Sequence, residues 1–267
     1  MTDPTHSHTI DWHRFWTDAE GDHRESARPG RTNGMADLLD RFFERADWAD
    51  RHDQYDLPNQ SDRSDPPDSL DRPNSFAAVG CGPADCPLEL ADRHPDLNVF
   101  AFDATEPAVR EARERASERD LSNVVVESAT LPEFDPGRSF DVVYCYAVLH
   151  YVEAVERAIR NLYDAVAPGG HLVFSYANRI TRAEWDREST GDGVLADRPQ
   201  FRERFALLLD GKNLLSYDAI TEELGTRPRS FWSTADAPDY WAAEESPPEV
   251  RTGLTEGVIN PCVHVPK

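Results

Sequence analysis

The stretch SFAAVGCGPADCPLEL, Ser75–Leu90, decides the reading of this chain. A short apolar run, Ser75 to Val79, ends in Gly80-Cys81-Gly82 and passes within a few residues into a helical pattern, CPLELADRH. Gly80 and Gly82 permit tight backbone turning and leave no side chain between backbone and ligand. The helix that follows, with Asp85 as its expected N-cap and Pro87 confined to the first turn, points the positive end of its dipole at the same place. That end favours a phosphate or a carboxylate.

Outward from this loop, apolar runs alternate with amphipathic segments. NVFAFD, NVVVESA, FDVVYCYAV and HLVFSYA read as strands, and EPAVREARERASER and VEAVERAIRNLYDAV as helices. Val155, Ile159, Leu162 and Val166 form one stripe of the second. A Pro168-Gly169-Gly170 turn precedes the fifth strand. Five strands alternating with helices predict an α/β fold, doubly wound and Rossmann-like, around a mostly parallel sheet. RPRSFWST and PCVHV are expected to add two more strands, FRERFALLL is a helix, and SYDAITEEL is a helix capped by Ser216. Upstream, residues 10–20 and 34–50 carry aromatic and apolar residues at helical spacing and predict an N-terminal helical extension. Residues 51–74 are rich in Asp, Ser, Pro and Arg and bury too little to offset their ordering entropy; they read as an acidic linker. The organisation expected is a lid over 1–50, the linker 51–74, and one domain over 75–267 with a substrate-side insertion at 179–213.

The chain has 267 residues and a net charge of −22, and its only lysines are Lys212 and Lys267. Such acid-rich, lysine-poor composition resembles proteins of salt-saturated cytoplasm. Nucleic acid is a poor partner for this charge balance, because its binding needs cations to displace counterions. No apolar run reaches the roughly 18–20 residues that span a bilayer. Cys81, Cys86, Cys145 and Cys262 lack paired C-x-x-C spacing and read as free thiols in a reducing compartment. A cytoplasmic protein, monomeric or weakly homodimeric, is expected. His6, His8 and His13 cluster near the N-terminus without a companion acid or Cys cluster, so no metal site is expected.

Asp103 ends the second strand, 21 residues beyond Gly82. A strand-ending acid about 20 residues past a glycine turn is placed to accept hydrogen bonds from ribose hydroxyls. With the later FDVVYCYAVLHYV and PGGHLVFS blocks, the chain resembles the class I S-adenosylmethionine-dependent methyltransferases, as a haloarchaeal-type small-molecule member, over residues 75–178. The resemblance implies a seven-stranded sheet ending in an antiparallel strand pair. It implies S-adenosylmethionine as cofactor, held by Gly80, Cys81, Gly82, Asp103, Ala104, Ser128, Ala129, Tyr144 and Tyr146. A small-molecule substrate follows from it, and His150 sits where a general base would serve an acceptor that must lose a proton. Trp12 and Trp16 read as core or as an aromatic wall.

The family's first motif carries an acid where Ala78 stands, so restoring it with Ala78→Asp is expected to tighten cofactor binding. A nicotinamide dinucleotide site is the rival, but it wants a third glycine where Asp85 would repel a pyrophosphate. A non-catalytic adenosylmethionine-binding protein is the remaining alternative, motivated by Ala78 and Ser128.

Overall fold

The computed structural model describes residues 10–17, 31–48, 72–193, 195–196, 200–242 and 260–267. Seven strands form one sheet in the order β3-β2-β1-β4-β5-β7-β6. They are β1 (Ser75–Val79), β2 (Asn98–Asp103), β3 (Val124–Ser128), β4 (Phe140–Cys145), β5 (Val166–Ser175), β6 (Arg229–Ser230) and β7 (Cys262–Pro266). The first five are parallel, and β7 runs antiparallel to both β5 and β6. The order reverses between β1 and β4, which opens a crevice at the C-terminal strand ends.

Alternation along each strand sends side chains to two separate cores. Phe76, Ala78, Val142, Tyr144 and Val173 face one layer, and Ala77, Val79, Val143, Leu172 and Phe174 the other. The first layer contains α2 (Arg31–Arg45) and α3 (Asp85–Arg93); the second contains α5 (Val155–Asp164) and α9 (Tyr217–Leu224). Between these in the chain, α4 (Glu106–Glu118) covers β2 and β3. The remaining helices are α1 (Trp12–Thr17), α6 (Arg179–Glu188), α7 (Phe201–Arg204), α8 (Ala206–Leu209), α10 (Phe231–Thr234) and α11 (Ala237–Ala242).

Several expectations need correction. The second N-terminal helix runs 31–45 and is part of the domain it was expected to cover. Met35, Leu39 and Phe42 are buried in one core with β1, β4 and β5. Arg93 of α3 pairs with Asp37 and Asp40 at 2.6 and 2.9 Å, and Arg41 pairs with Asp236 at 3.0 Å. A boundary at 75 therefore separates α2 from its own sheet. RPRSFWST holds only a two-residue strand, because the Ser230 hydroxyl accepts from Ser233 N and starts a helix at Phe231. The Pro-Gly-Gly segment lies inside β5, at an irregularity in the pairing with β4, rather than before it. Of the linker, residues 51–71 lie outside the described residues, as do His6 and His8.

Where β5 passes under α2, His171 and His264 face each other with Nδ1 atoms 3.2 Å apart. Both are buried, against Phe42 and, for His171, Trp48. His171 Nε2 lies 3.1 Å from the Asp47 carbonyl oxygen, which only an N–H can satisfy. With both rings neutral, His171 Nδ1 accepts from His264 Nδ1–H, and His264 Nε2 takes the single Thr234 hydroxyl proton at 3.0 Å in place of the Ser230 carbonyl at 3.2 Å. The chain is then complete.

Candidate active site

The glycine turn folds as the sequence implies. Gly80 and Gly82 have φ of 73° and 53°, in the left-handed region that favours glycine. Gly80 N–H and Cys81 N–H both donate to the Phe102 carbonyl, at 2.8 and 2.9 Å, which ties the turn to the end of β2. A Cβ on Gly80 would lie 2.4 Å from Val148 Cγ2. Gly80→Ala is thus expected to cost about 1–3 kcal/mol through the clash alone, measured as a lower urea midpoint. Asp85 does not cap α3: Ala84 occupies the cap, in a left-handed conformation, and the Asp85 carboxylate pairs with Arg115 at 2.5 Å.

Asp103 is the centre of the turn. Its Oδ2 accepts from Gly82 N–H at 2.9 Å, and its Oδ1 accepts from Thr105 N–H and the Thr105 hydroxyl at 2.9 and 2.8 Å. Burial pushes this carboxyl above the ordinary Asp range, against the lowering effect of N–H donors from Thr105, Gly82 and Ala104. Register places Ser128 directly across from Asp103, and Ala129 N–H donates to the Asp103 carbonyl at 3.0 Å. Gly80, Cys81, Gly82, Asp103, Ala104, Ser128 and Ala129 are therefore brought to one end of β1–β3, with Ser128 exposed. Cys81 shows no thiolate character; burial and Asp103 hold its thiol well above the usual range. Thr105, which anchors Asp103, carried no signal beyond following it in the chain.

At the end of β4, Tyr144 and, just past the strand, Tyr146 lie parallel with ring centroids 6.1 Å apart. Tyr144 is buried beside Ala78, its register partner on β1, and faces Cys86. A bulky phenol thus packs beside the position where the resemblance wants an acid. Asp141 belongs to the far end of the sheet, where its Oδ2 accepts from Asn74 N and Ser75 N at 2.7 and 3.0 Å. It is a strand tie, not a site residue.

His150 sits in a 3-10 turn (Leu149–Tyr151) after β4. Its ring is buried against Tyr151, Trp185 and Phe205, and Nδ1 has no hydrogen-bond partner. Burial pushes its pKa down to about 4, so it is neutral at pH 7. Asn213 Nδ2 donates to the carbonyls of Leu149, His150 and Val152 and fixes the turn.

Helix α1 bridges the site. A Cβ on Gly82 would meet only Trp16, at 3.2 Å, so an indole roofs the bare backbone of the turn. At its other end Trp12 contacts Tyr151, with centroids 4.5 Å apart, and the Arg204 guanidinium stacks near Trp12 and Phe15. A cleft of about 1200 Å3 is walled by Tyr176, Asn178, Arg179, Arg182, Tyr217 and Trp232 among others. Trp232 meets Tyr146 edge-on at 6.4 Å, which joins the cleft to the β4 end. The cleft draws on four separate segments, of which the sequence marked only 179–213 as substrate-side and Ser216 as a helix cap. Asn178 also starts a helix, in a capping box with Thr181.

The sheet order, the glycine turn and the acid closing β2 define a doubly wound, Rossmann-like fold. Residues 77–172 match the family described as "Methyltransferase domain". Over 105 residues the chain is 33% identical to a ubiquinone biosynthesis O-methyltransferase of Rickettsia conorii, covering 39% of this chain and 35% of that one. A trans-aconitate 2-methyltransferase of Methylobacterium radiotolerans is 31% identical over 111 residues, covering 42% of this chain and 41% of the other. The chain thus spans well under two thirds of the curated relatives it matches. Among solved structures, NodS of Bradyrhizobium japonicum WM9 in complex with S-adenosyl-L-homocysteine aligns at a TM-score of 0.38 and 26% identity, over 43% of this chain and 58% of that one. These relatives are bacterial.

Proposed function

We propose that the protein transfers a methyl group from S-adenosylmethionine to a small molecule. The observation that carries this reading is the meeting of Gly82, Asp103 and Ser128 at one edge of the crevice, inside the segment that matches the methyltransferase domain. The residues fit the cofactor. Asp103 takes Gly82 N–H, Thr105 N–H, the Thr105 hydroxyl and Ala104 N–H within the protein, so a ribose hydroxyl would reach its carboxylate by replacing one of these donors. The Gly82 backbone is roofed by a side chain, which moves more readily than backbone.

S-adenosylmethionine supplies an electrophilic methyl group on a sulfonium. The chain's part is alignment and exclusion of water. Asp103, Ala104, Ser128 and Ala129 would hold the nucleoside end, and Gly80, Cys81, Gly82, Tyr144 and Tyr146 would hold the methionine end. Helix α1 with residues 179–213 forms the cover. His150, neutral and walled by aromatic rings, steadies the turn after β4 in this reading and takes no proton from the acceptor. The acidic composition suits a salt-adapted cytoplasmic protein that acts as a monomer or weak homodimer, away from nucleic acid and membrane. Among the described residues, no helix is long and apolar enough to cross a membrane.

Titration with S-adenosylhomocysteine is expected to raise the melting temperature with ligand concentration, and NAD to leave it unchanged. Asp103→Asn should weaken that binding by about 1–3 kcal/mol. A melting temperature indifferent to S-adenosylhomocysteine would end the proposal; binding without methylation of any acceptor tried would favour a non-catalytic binder.

A further inference from the structure

The cleft walled by α6 and Trp232 carries a charge pattern opposite to that of the chain. The protein has 50 acidic against 28 basic residues. Three charged side chains line the cleft: Arg179, Arg182 and Asp186. The carboxylate among them is already matched, since Asp186 Oδ1 accepts from Arg202 at 3.0 Å. Arg182 Nε donates to the Leu209 carbonyl at 2.8 Å, which fixes that guanidinium beside Gly211, another residue of the cleft lining. Arg179 is exposed at the first position of α6, and no ion pair among the described residues uses it.

The neutral lining adds donors and flat apolar surface. Burial holds the Tyr176 and Tyr217 phenols above their ordinary pKa, so at neutral pH both keep a proton to donate. Trp232 and Pro261 contribute apolar wall, and Trp232 touches Tyr146 at the β4 end.

From this we infer that the cleft is an acceptor site for a small organic acid, with its carboxylate held by Arg179 and Arg182 and its apolar body against Trp232. A planar guanidinium fork matches a carboxylate with two parallel hydrogen bonds. An organic cation would meet two arginines and no free carboxylate in the lining. An uncharged acceptor would leave the exposed Arg179 guanidinium at the cleft wall without a matching charge. The role as acceptor site rests on the methyltransferase reading; the preference for a carboxylate does not.

The test is calorimetric titration of the full chain with matched pairs, phenylacetate against phenylacetamide and cinnamate against cinnamamide. Each pair is run with and without saturating S-adenosylhomocysteine. The acids are expected to bind about 10-fold or more tightly than the amides. In Arg179→Gln that preference should collapse, with melting temperature and S-adenosylhomocysteine affinity unchanged, and Arg179→Lys should restore only part of it. Equal binding of acid and amide, binding of neither, or an unchanged preference in Arg179→Gln overturns the inference. Absence of heat from S-adenosylhomocysteine alone counts against the methyltransferase reading and leaves the acid preference to be read on the free protein.

Discussion

Ala78→Asp is expected to lower unfolding free energy by about 3–5 kcal/mol at pH 7, the cost of an uncompensated buried charge. The family resemblance argues the reverse, since an acid belongs at this position in its first motif. The surroundings decide it. Ala78 is 2% exposed, on the sheet face that meets α2 and α3. Tyr144 stands beside it on β4, and Cys86, Leu90 and Val142 belong to the same core. None of these is a cation. The penalty should shrink as pH falls from 7 toward 4, because the buried carboxyl has a raised pKa and takes up a proton before the unfolded one does. Ala78→Asn supplies the uncharged comparison and should cost less at pH 7, with no such pH dependence. Urea midpoints of both variants, each referred to the parent chain at the same pH, read the effect. A stable Ala78→Asp protein that binds S-adenosylhomocysteine more tightly would show that Tyr144 yields its place.

Acid should unfold the parent chain well before its carboxylates are all protonated. Burial pushes His264 down to about 3, with His171 and Arg229 adding repulsion, and pushes His150 down to about 4. Both imidazoles are lowered from 6.5, so the unfolded chain binds protons that the folded chain refuses. Their contribution is complete above pH 6.5 and is lost as pH falls toward 4 and then 3. At 1.36 kcal/mol per pKa unit, the two together remove on the order of 5–8 kcal/mol by about pH 3. That is comparable with the whole stability of many domains. His264→Gln should flatten the decline between pH 6.5 and 4 even if it lowers stability at neutral pH. A decline of the same steepness in His264→Gln and in His150→Gln would assign acid sensitivity to the carboxylates instead.

The legible part of this protein was the part governed by local pattern. Apolar runs located β1 to β5, and turning glycines followed by an acid at nucleotide-binding distance located the crevice edge. Ser216 was read as a cap and is one, accepting from Ala219 N–H at 3.1 Å. What failed was decided by distant partners. Residues 34–50 read as an amphipathic lid helix, and nothing in the segment says that the apolar side of the helix, which runs over 31–45, meets β1 and β5 rather than a ligand. SFW favours a strand by propensity, yet one hydroxyl starts a helix at Phe231. His150 stood near the end of β4 as expected, but Trp185 and Phe205, from residues far along the chain, close around its ring. Residues 179–213 were expected on the substrate side, but which other segments complete the arginine-lined cleft was not legible for the same reason.

The position of β7 bears on how the chain is made as well as how it holds together. Residues 262–266 lie between β5 and β6, so β6 has no neighbour, and β5 keeps one unpaired edge, until they arrive. A nascent chain on the ribosome can assemble β1 to β5 with the helices between them and must then wait, with that edge bare, through the synthesis of everything from Ser175 to Cys262. Long-separated pairings of this kind form slowly, and an open edge invites pairing with other chains. Folding should therefore end in a single late insertion that also brings His264 to His171 and shuts the histidine chain behind it.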